Sequence, residues 1–151
     1  MVDREDEARL FHEGVALFNA GEWFEAHEVW EDIWRMASGP KKHFYQGLIQ
    51  VAVTIEHMRR GNPRGVLSVW TTAQEKFRGI DDVYMGIDVP ALLSAVRAMV
   101  EPIRRLPAEM FSPARGRGLD LPVDLSQAPR ITLQWDPFAE EQERQTGQVE
   151  G

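Results

Sequence analysis

The sequence predicts an all-α fold: a compact bundle of about five helices, built from helical hairpins and followed by an irregular C-terminal arm. Apolar residues recur at helical spacing through five successive segments, and glycine or proline separates those segments. The length of 151 residues favours one domain with a real core. We expect residues 1–138 to form this single helical domain, arm included, and residues 139–151 to form a disordered acidic tail.

The first two helices are predicted over residues 4–19 and 22–36. Acidic residues fill the first turn of the first helix, where they oppose the helix dipole. Gly21 suits the position that follows a helix end. The second helix is predicted by one wide apolar stripe at helical spacing, which consists of Trp23, Ala26, His27, Trp30, Ile33, Trp34 and Ala37.

The third helix is predicted from about Pro40 to Arg60. It carries no charge between Phe44 and Ile55, so we expect it to be the buried helix of the bundle. A β-strand over LIQVAVTI is the alternative, because valine and isoleucine are frequent there. The total length and the helical spacing of the apolar residues favour the helix.

The fourth helix is predicted to start at Pro63 and to end near Gly79, with Gly61 and Asn62 as stop and cap. The fifth is predicted over residues 89–106, where Pro102 should kink or shorten it. Residues 107–129 are rich in proline, glycine and arginine and form the predicted arm. Residues 131–133 suit a short extended piece, and we expect Trp135 to pack the arm onto the bundle.

A weak repeat with an offset of 40 residues supports the hairpin architecture. Gly21 with Trp30 matches Gly61 with Trp70, and the first hairpin is similar to a tetratricopeptide hairpin. Two such hairpins are too few for a free-standing solenoid, so a compact bundle is expected. Chance similarity between two amphipathic hairpins is the alternative.

Charge and composition exclude several classes of partner. The net charge is −7, and most of it lies in residues 3–7 and 140–151. The near-neutral remainder predicts no nucleic-acid partner and no membrane partner. An acidic start, unlike a secretory signal, and the absence of cysteine favour a cytoplasmic location.

The most informative polar residues lie in the second helix. His27 and Glu31 are four residues apart, so they share a helix face and suit a divalent metal ion. By analogy with the metalloprotease helix, with Glu31 in place of the second histidine, Glu28 would be the catalytic general base. However, Glu28 points about 100° away from His27. The alternative is a core histidine that is wedged among tryptophans and hydrogen-bonded to Glu31.

A polar stripe runs along the otherwise apolar third helix and consists of Gln46, Gln50, Thr54 and His57. If the second and third helices pack antiparallel, this stripe faces His27 and Glu31 in one buried pocket. We therefore predict metal ligands at His27 and Glu31 and ligand-binding residues at Gln46, Gln50, His57 and Trp34. The same cluster would alternatively fix helix register. Glu56 and His57 lie near the helix end, where we expect exposure.

Two stretches, GEWFEAHEVWEDIWR and FYQGLIQVAVTIEHMRRGNPRGVLSVWTTA, resemble the bacterial and archaeal domain of unknown function 309 family. The resemblance covers roughly residues 10–106. It is carried by the His-Glu-x-x-Glu-x-x-Trp helix (residues 27–34), the Gln-Gly-Leu-Ile-Gln core (residues 46–50) and Gly61-Asn62. It implies an all-helical bundle and the label "predicted metal-dependent hydrolase" that some members carry.

Three functional hypotheses follow. The first is a buried His/Glu/Gln site of hydrolase type for a small ligand, with a divalent metal as the candidate cofactor. The second is a non-enzymatic helical-hairpin module that binds a protein partner through an exposed aromatic groove. The third is a homodimer whose interface buries the tryptophan-rich stripe.

Overall fold

The computed structural model describes residues 4–113 and 118–139, and within these ranges it confirms the all-helical fold. The helices are α1 (Arg4–Asn19), α2 (Trp23–Met36), α3 (Gly39–Arg59), α4 (Pro63–Lys76) and α5 (Val89–Arg104). Two short strands, β1 (Val83–Tyr84) and β2 (Ile87–Asp88), pair antiparallel between α4 and α5. Short 3-10 turns follow at Ala108–Phe111 and Leu125–Gln127.

The first four helices pack in chain order, α1 on α2, α2 on α3 and α3 on α4. The links between them are short, so consecutive helices are antiparallel. Gly21 and Gly61 take positive φ angles of 81° and 67° in the two matching turns, where side-chained residues would be strained. The Asn62 side chain caps α4 by accepting a hydrogen bond from the Gly65 amide.

Helix α3 lies at the centre of the bundle, as its uncharged middle predicts. Its residues Phe44, Leu48 and Val51 are fully buried, and α2 and α4 cover its flanks. Trp30 of α2 is also fully buried and donates from Nε1 to the Phe11 carbonyl oxygen of α1. Gly14 makes room for this indole, because a side chain there would overlap it.

Several local expectations are corrected. Helix α5 ends at Arg104 rather than at residue 106, with Pro102 in its last turn, which agrees with the expected shortening. The segment after α4, which the sequence indicates as a linker, contains the β1–β2 hairpin. Residues 131–133 form no strand. Ile131 is instead held by the Asn19 side chain, which donates to its carbonyl oxygen (2.9 Å) and accepts from its amide (2.7 Å).

The arm from residue 118 onward packs on the bundle through Ile131 and Phe138, whereas Trp135 was expected to do so. Trp135 is 42% exposed, whereas Ile131 and Phe138 are buried. Phe138 packs against Phe11 of α1. The aromatic ring of residue 135 is therefore not the anchor. The predicted disordered tail falls almost wholly on residues 140–151, which lie outside the described residues.

Within the described ranges, every helix is too short or too polar to cross a membrane.

Candidate functional site

His27 and Glu31 form a pair on α2, as their spacing predicts. Nδ1 of His27 is hydrogen-bonded to the carbonyl oxygen of Phe24, and a carbonyl oxygen only accepts, so Nδ1 carries a proton. Nε2 of His27 lies 3.5 Å from Oε1 of Glu31. In a neutral imidazole this places two acceptors face to face, an arrangement that suits a shared cation or a ligand donor.

Glu31 is also influenced by a cation on its own helix. Its Oε2 lies 3.5 Å from Nη2 of Arg35, at the i+4 position. The Arg35 side chain is 61% exposed, so this contact is weak and easily displaced. The oxygen that faces His27 is the other one, Oε1. The pair therefore keeps one carboxylate oxygen directed at the imidazole.

Gln50 of α3 and Trp34 of α2 carry buried polar atoms without partners. Oε1 of Gln50 and Nε1 of Trp34 are buried, and neither has a hydrogen bond within the described part of the chain. Buried polar atoms in proteins are nearly always paired, because an unpaired one loses its hydration without compensation. Nε1 of Trp23, at the start of α2, is a third such atom. Of the three, Oε1 of Gln50 and Nε1 of Trp34 belong to residues that the sequence predicts to bind a ligand.

Two cation–ring contacts join α2 to α3. The ammonium of Lys42 lies 4.9 Å from the centre of the Trp34 ring near the turn, and the guanidinium of Arg60 lies 5.1 Å from the centre of the Phe24 ring at the far end of the hairpin. The two helices are therefore antiparallel, and His27 and Gln50 both lie between these contacts. No hydrogen bond joins His27 to a glutamine among the described residues, so their grouping in one pocket stays a prediction.

His57 belongs to the α3–α4 turn rather than to the middle of α3. Its Nδ1 accepts a hydrogen bond from Nδ2 of Asn62 at 3.2 Å. Burial, and then the charge of Arg60, lower the pKa of His57 against the opposing charge of Glu56. It packs closely on Gly65, where a Cβ would lie 2.6 Å from Nδ1. A neutral imidazole there completes the turn, and it lies about 10 Å along α3 from Gln50.

The other predicted residues are accessible. Gln46 is half-buried on α3, and Glu28, the predicted general base, is exposed on α2. In the described ranges, no group of three or more His, Cys, Asp or Glu side chains is arranged to hold a metal ion. A metal at this face would therefore depend on His27 and Glu31 together with amide oxygens.

Glu56 overturns the expectation of exposure at the end of α3. It is 6% exposed, and it accepts from Nε of Arg59 (2.9 and 3.0 Å) and Nε of Arg60 (2.9 Å). Burial acts to raise the pKa of Glu56, but the hydrogen bonds and charges of the two arginines outweigh it and hold that pKa below its ordinary value. The charged carboxylate of Glu56 can therefore stay buried because Arg59 and Arg60, one turn later, neutralise it.

A second polar cluster, which the sequence pattern did not indicate, joins α1 to α3. Tyr45 donates from its hydroxyl to Oε2 of Glu7 at 2.5 Å, and Nζ of Lys41 donates to the same oxygen at 3.0 Å. Burial, and then the hydrogen bond and charge of Glu7, raise the pKa of Tyr45 far above its usual range. The available signal was a phenol in an uncharged helix, which requires a partner.

Among the described residues, the exposed large apolar side chains are those of Phe24, Met36 and Trp135. Phe24 and Met36 lie at opposite ends of α2, and Trp135 lies on the arm. Trp23 and Trp30 are buried within the chain itself. The tryptophan stripe of the homodimer hypothesis is therefore largely occupied by intramolecular packing, so a dimer would need another surface.

Comparisons with known proteins agree with the resemblance. A family model described as "Domain of unknown function (DUF309)" matches residues 11–69, which span α1 to α4. The chain is 30% identical over 98 residues to an uncharacterized protein of Aquifex aeolicus (strain VF5), covering 64% of this chain and 28% of that protein. It is also 30% identical over 92 residues to the uncharacterized protein YpuF of Bacillus subtilis (strain 168), covering 58% and 52%.

Proposed function

We propose that the hairpin within residues 11–69, the range that matches the domain of unknown function 309 model, binds a small cationic ligand, with a divalent metal ion as the first candidate. The ligand site comprises His27, Glu31 and Gln50, on facing helices. The observation that carries the proposal is the buried, unpartnered Oε1 of Gln50. A bound cation would supply the partner that this oxygen lacks.

The three groups have matching chemistry. With the proton on Nδ1, which faces the Phe24 carbonyl oxygen, Nε2 of His27 can accept, as can the carboxylate of Glu31 and the amide oxygen of Gln50. Their common complement is a cation or a group with several N–H donors. His27 and Glu31 are strong metal ligands, whereas the amide of Gln50 is a weak one. Such a set favours an exchangeable ion over a permanently held one.

The hydrolytic form of the proposal assigns Glu28 as general base, and the described residues give it little support. Glu28 is exposed and points about 100° away from His27. A base must reach the water that it activates, so this form requires a substrate that bridges the two faces of α2. Ligand binding is therefore the function we favour, with hydrolysis as its extension.

Isothermal titration of chelator-treated protein with Zn²⁺, Mn²⁺ and Ni²⁺ tests the proposal. One ion per chain is expected for the unaltered protein, and His27→Gln or Gln50→Leu should weaken binding by about tenfold or more. Asp32→Asn is the matched control, since it removes an exposed carboxylate from the same helix. Equal binding by all variants, or absence of binding, would overturn the metal assignment.

Glu28→Gln separates binding from hydrolysis. If the chain only binds, this variant should match the unaltered protein in ion affinity and in the rate of hydrolysis of p-nitrophenyl acetate and phosphate. If it hydrolyses, the ion affinity should persist while the rate falls by about a hundredfold or more.

The interaction module is the second candidate, and Phe24 favours it. This ring is 38% exposed and carries the guanidinium of Arg60 at 5.1 Å from its centre. Exposed aromatic and arginine side chains are enriched in protein interfaces. Phe24→Ala should abolish capture of a protein partner. Its ring also packs edge-on against His27, with ring centres 4.8 Å apart, so Glu31→Gln distinguishes the two functions: this variant should lose the ion and keep the partner.

A further inference from the structure

A cleft lies at the C-terminal end of α2. It is bounded by the start of α1, the end of α2 and the start of α3, and its volume is about 220 Å³. The residues that line it are Glu7, Ile33, Met36, Ala37, Ser38 and Lys41. Pockets for drug-sized ligands measure about 300–1,000 Å³, so this one suits a smaller molecule.

One wall of the cleft carries an ion pair between Lys41 and Glu7, and a buried tyrosine fixes the carboxylate of this pair. Nζ of Lys41 lies 3.0 Å from Oε2 of Glu7, whose side chain is 19% exposed. The buried hydroxyl of Tyr45 donates to the same oxygen. A hydrogen bond from a buried, immobile side chain fixes the carboxylate, so its charge stays at one position in the cleft.

Both members of the ion pair have bonding capacity that the contacts within the described part of the chain do not use. The two hydrogen bonds converge on Oε2, while a carboxylate offers about four lone-pair sites on two oxygens. Lys41 has three ammonium hydrogens, of which one is directed to Glu7. Ser38, which also lines the cleft, makes no side-chain cap for α3.

The other wall is apolar. Ile33 is buried, Met36 is 49% exposed, and Ala37 follows it. A flexible methionine adapts its shape to whatever packs against it. The cleft thus combines an adjacent negative and positive charge with a short hydrophobic surface.

We propose that this cleft binds a small zwitterion of the α-amino-acid type with an apolar side chain. Its ammonium would pair with Glu7, its carboxylate would pair with Lys41 and the Ser38 hydroxyl, and its side chain would lie on Ile33 and Met36. The ammonium and carboxylate of an α-amino acid are about 3 Å apart. This spacing matches the 3.0 Å between Lys41 and Glu7, so the two dipoles can lie antiparallel.

Titration calorimetry of the full chain with L-leucine, N-acetyl-L-leucine and L-leucinamide tests the proposal without altering the protein. Leucine should bind with a Kd near or below about 1 mM. The acetylated compound lacks the ammonium and the amide lacks the carboxylate, so each should bind about tenfold more weakly. Equal binding of all three, or no binding of leucine at about 10 mM, would overturn the proposal.

Variants then locate the site. Glu7→Gln and Lys41→Met should each reduce leucine affinity by about tenfold. Glu5→Gln and Lys76→Met are matched controls, because these residues lie on α1 and α4 but do not line the cleft. Unchanged affinity in both cleft variants would contradict the assignment. Thermal melting followed by circular dichroism identifies any variant that fails to fold, and the ligand series remains decisive in that case.

Discussion

The middle and the end of α3 both bury polar atoms, and they differ in how those atoms are satisfied. At the end, the carboxylate of Glu56 receives hydrogen bonds from Arg59 and Arg60, three and four residues later. In the middle, Oε1 of Gln50 is buried and has no hydrogen-bond partner among residues 4–113 and 118–139. The charged group is the better satisfied of the two. We infer that the end of α3 is built for stability and the middle for a ligand.

The largest expected effect on stability comes from removing the two arginines that bind Glu56 at the end of α3. In the double variant Arg59→Ala/Arg60→Ala, Glu56 stays buried without a counter-charge, so the free energy of unfolding should fall by about 3 kcal/mol. Urea unfolding near neutral pH measures it. Arg104→Ala is the control, because its partner Glu101 is about two-fifths exposed and the loss should stay below about 1 kcal/mol. Equal losses in the two variants would show that Glu56 is not effectively buried.

Acid should remove the difference between the double variant and the unaltered protein. The folded-state pKa of Glu56 is lowered, so its stabilising contribution is complete above the unfolded-state pKa, about 4.3. That contribution is lost as pH falls through the lower folded-state value. In the variant, burial without arginines raises the pKa of Glu56, so protonation relieves the destabilisation.

Unfolding free energies measured at about pH 7, 5 and 3 should therefore converge toward the acidic end. A difference that stays constant across this range would mean that the arginines stabilise the helix end through contacts other than those with Glu56.

Substitution of Gln50, in the middle of α3, should change the free energy of unfolding in the opposite direction. Gln50→Leu removes a buried atom that lacks a partner, so in the absence of ligand the unfolding free energy should rise by about 1 kcal/mol. Gln46→Leu, at a half-buried position one turn earlier, should change it by less than about 0.5 kcal/mol. Thermal melting and urea unfolding of chelator-treated protein measure both. A loss of stability in Gln50→Leu would indicate that the amide is structural.

The smallest effect is expected for an exposed ion pair on α2. Asp32 lies 3.2 Å from Arg35, and both side chains are more than half exposed. Asp32→Asn should change the unfolding free energy by less than about 0.5 kcal/mol, because water and salt screen such pairs. A larger loss of unfolding free energy would mean that exposed ion pairs also stabilise this chain. Burial would then not be what distinguishes the Glu56 ion pairs from the others.

Spacing within a helix predicted some of the candidate site and missed the rest. The i, i+4 relation of His27 and Glu31 indicated their pairing, which the structure contains. The same relation between Glu56 and Arg60 was present in the sequence, yet Glu56 was expected to be exposed. The spacing reveals which side chains can meet, whereas the burial of the pair depends on the helices beside it.

The sequence alone determined the helices of this protein and their turns. Apolar periodicity, the glycines at 21 and 61 and the Asn62 cap act within a few residues, so their effect is visible in the linear order. Only the tertiary structure brought Glu7 to Tyr45, 38 positions away, and left Gln50 without a partner. Such contacts depend on how whole helices settle against one another, and packing of that kind has no signature in local spacing.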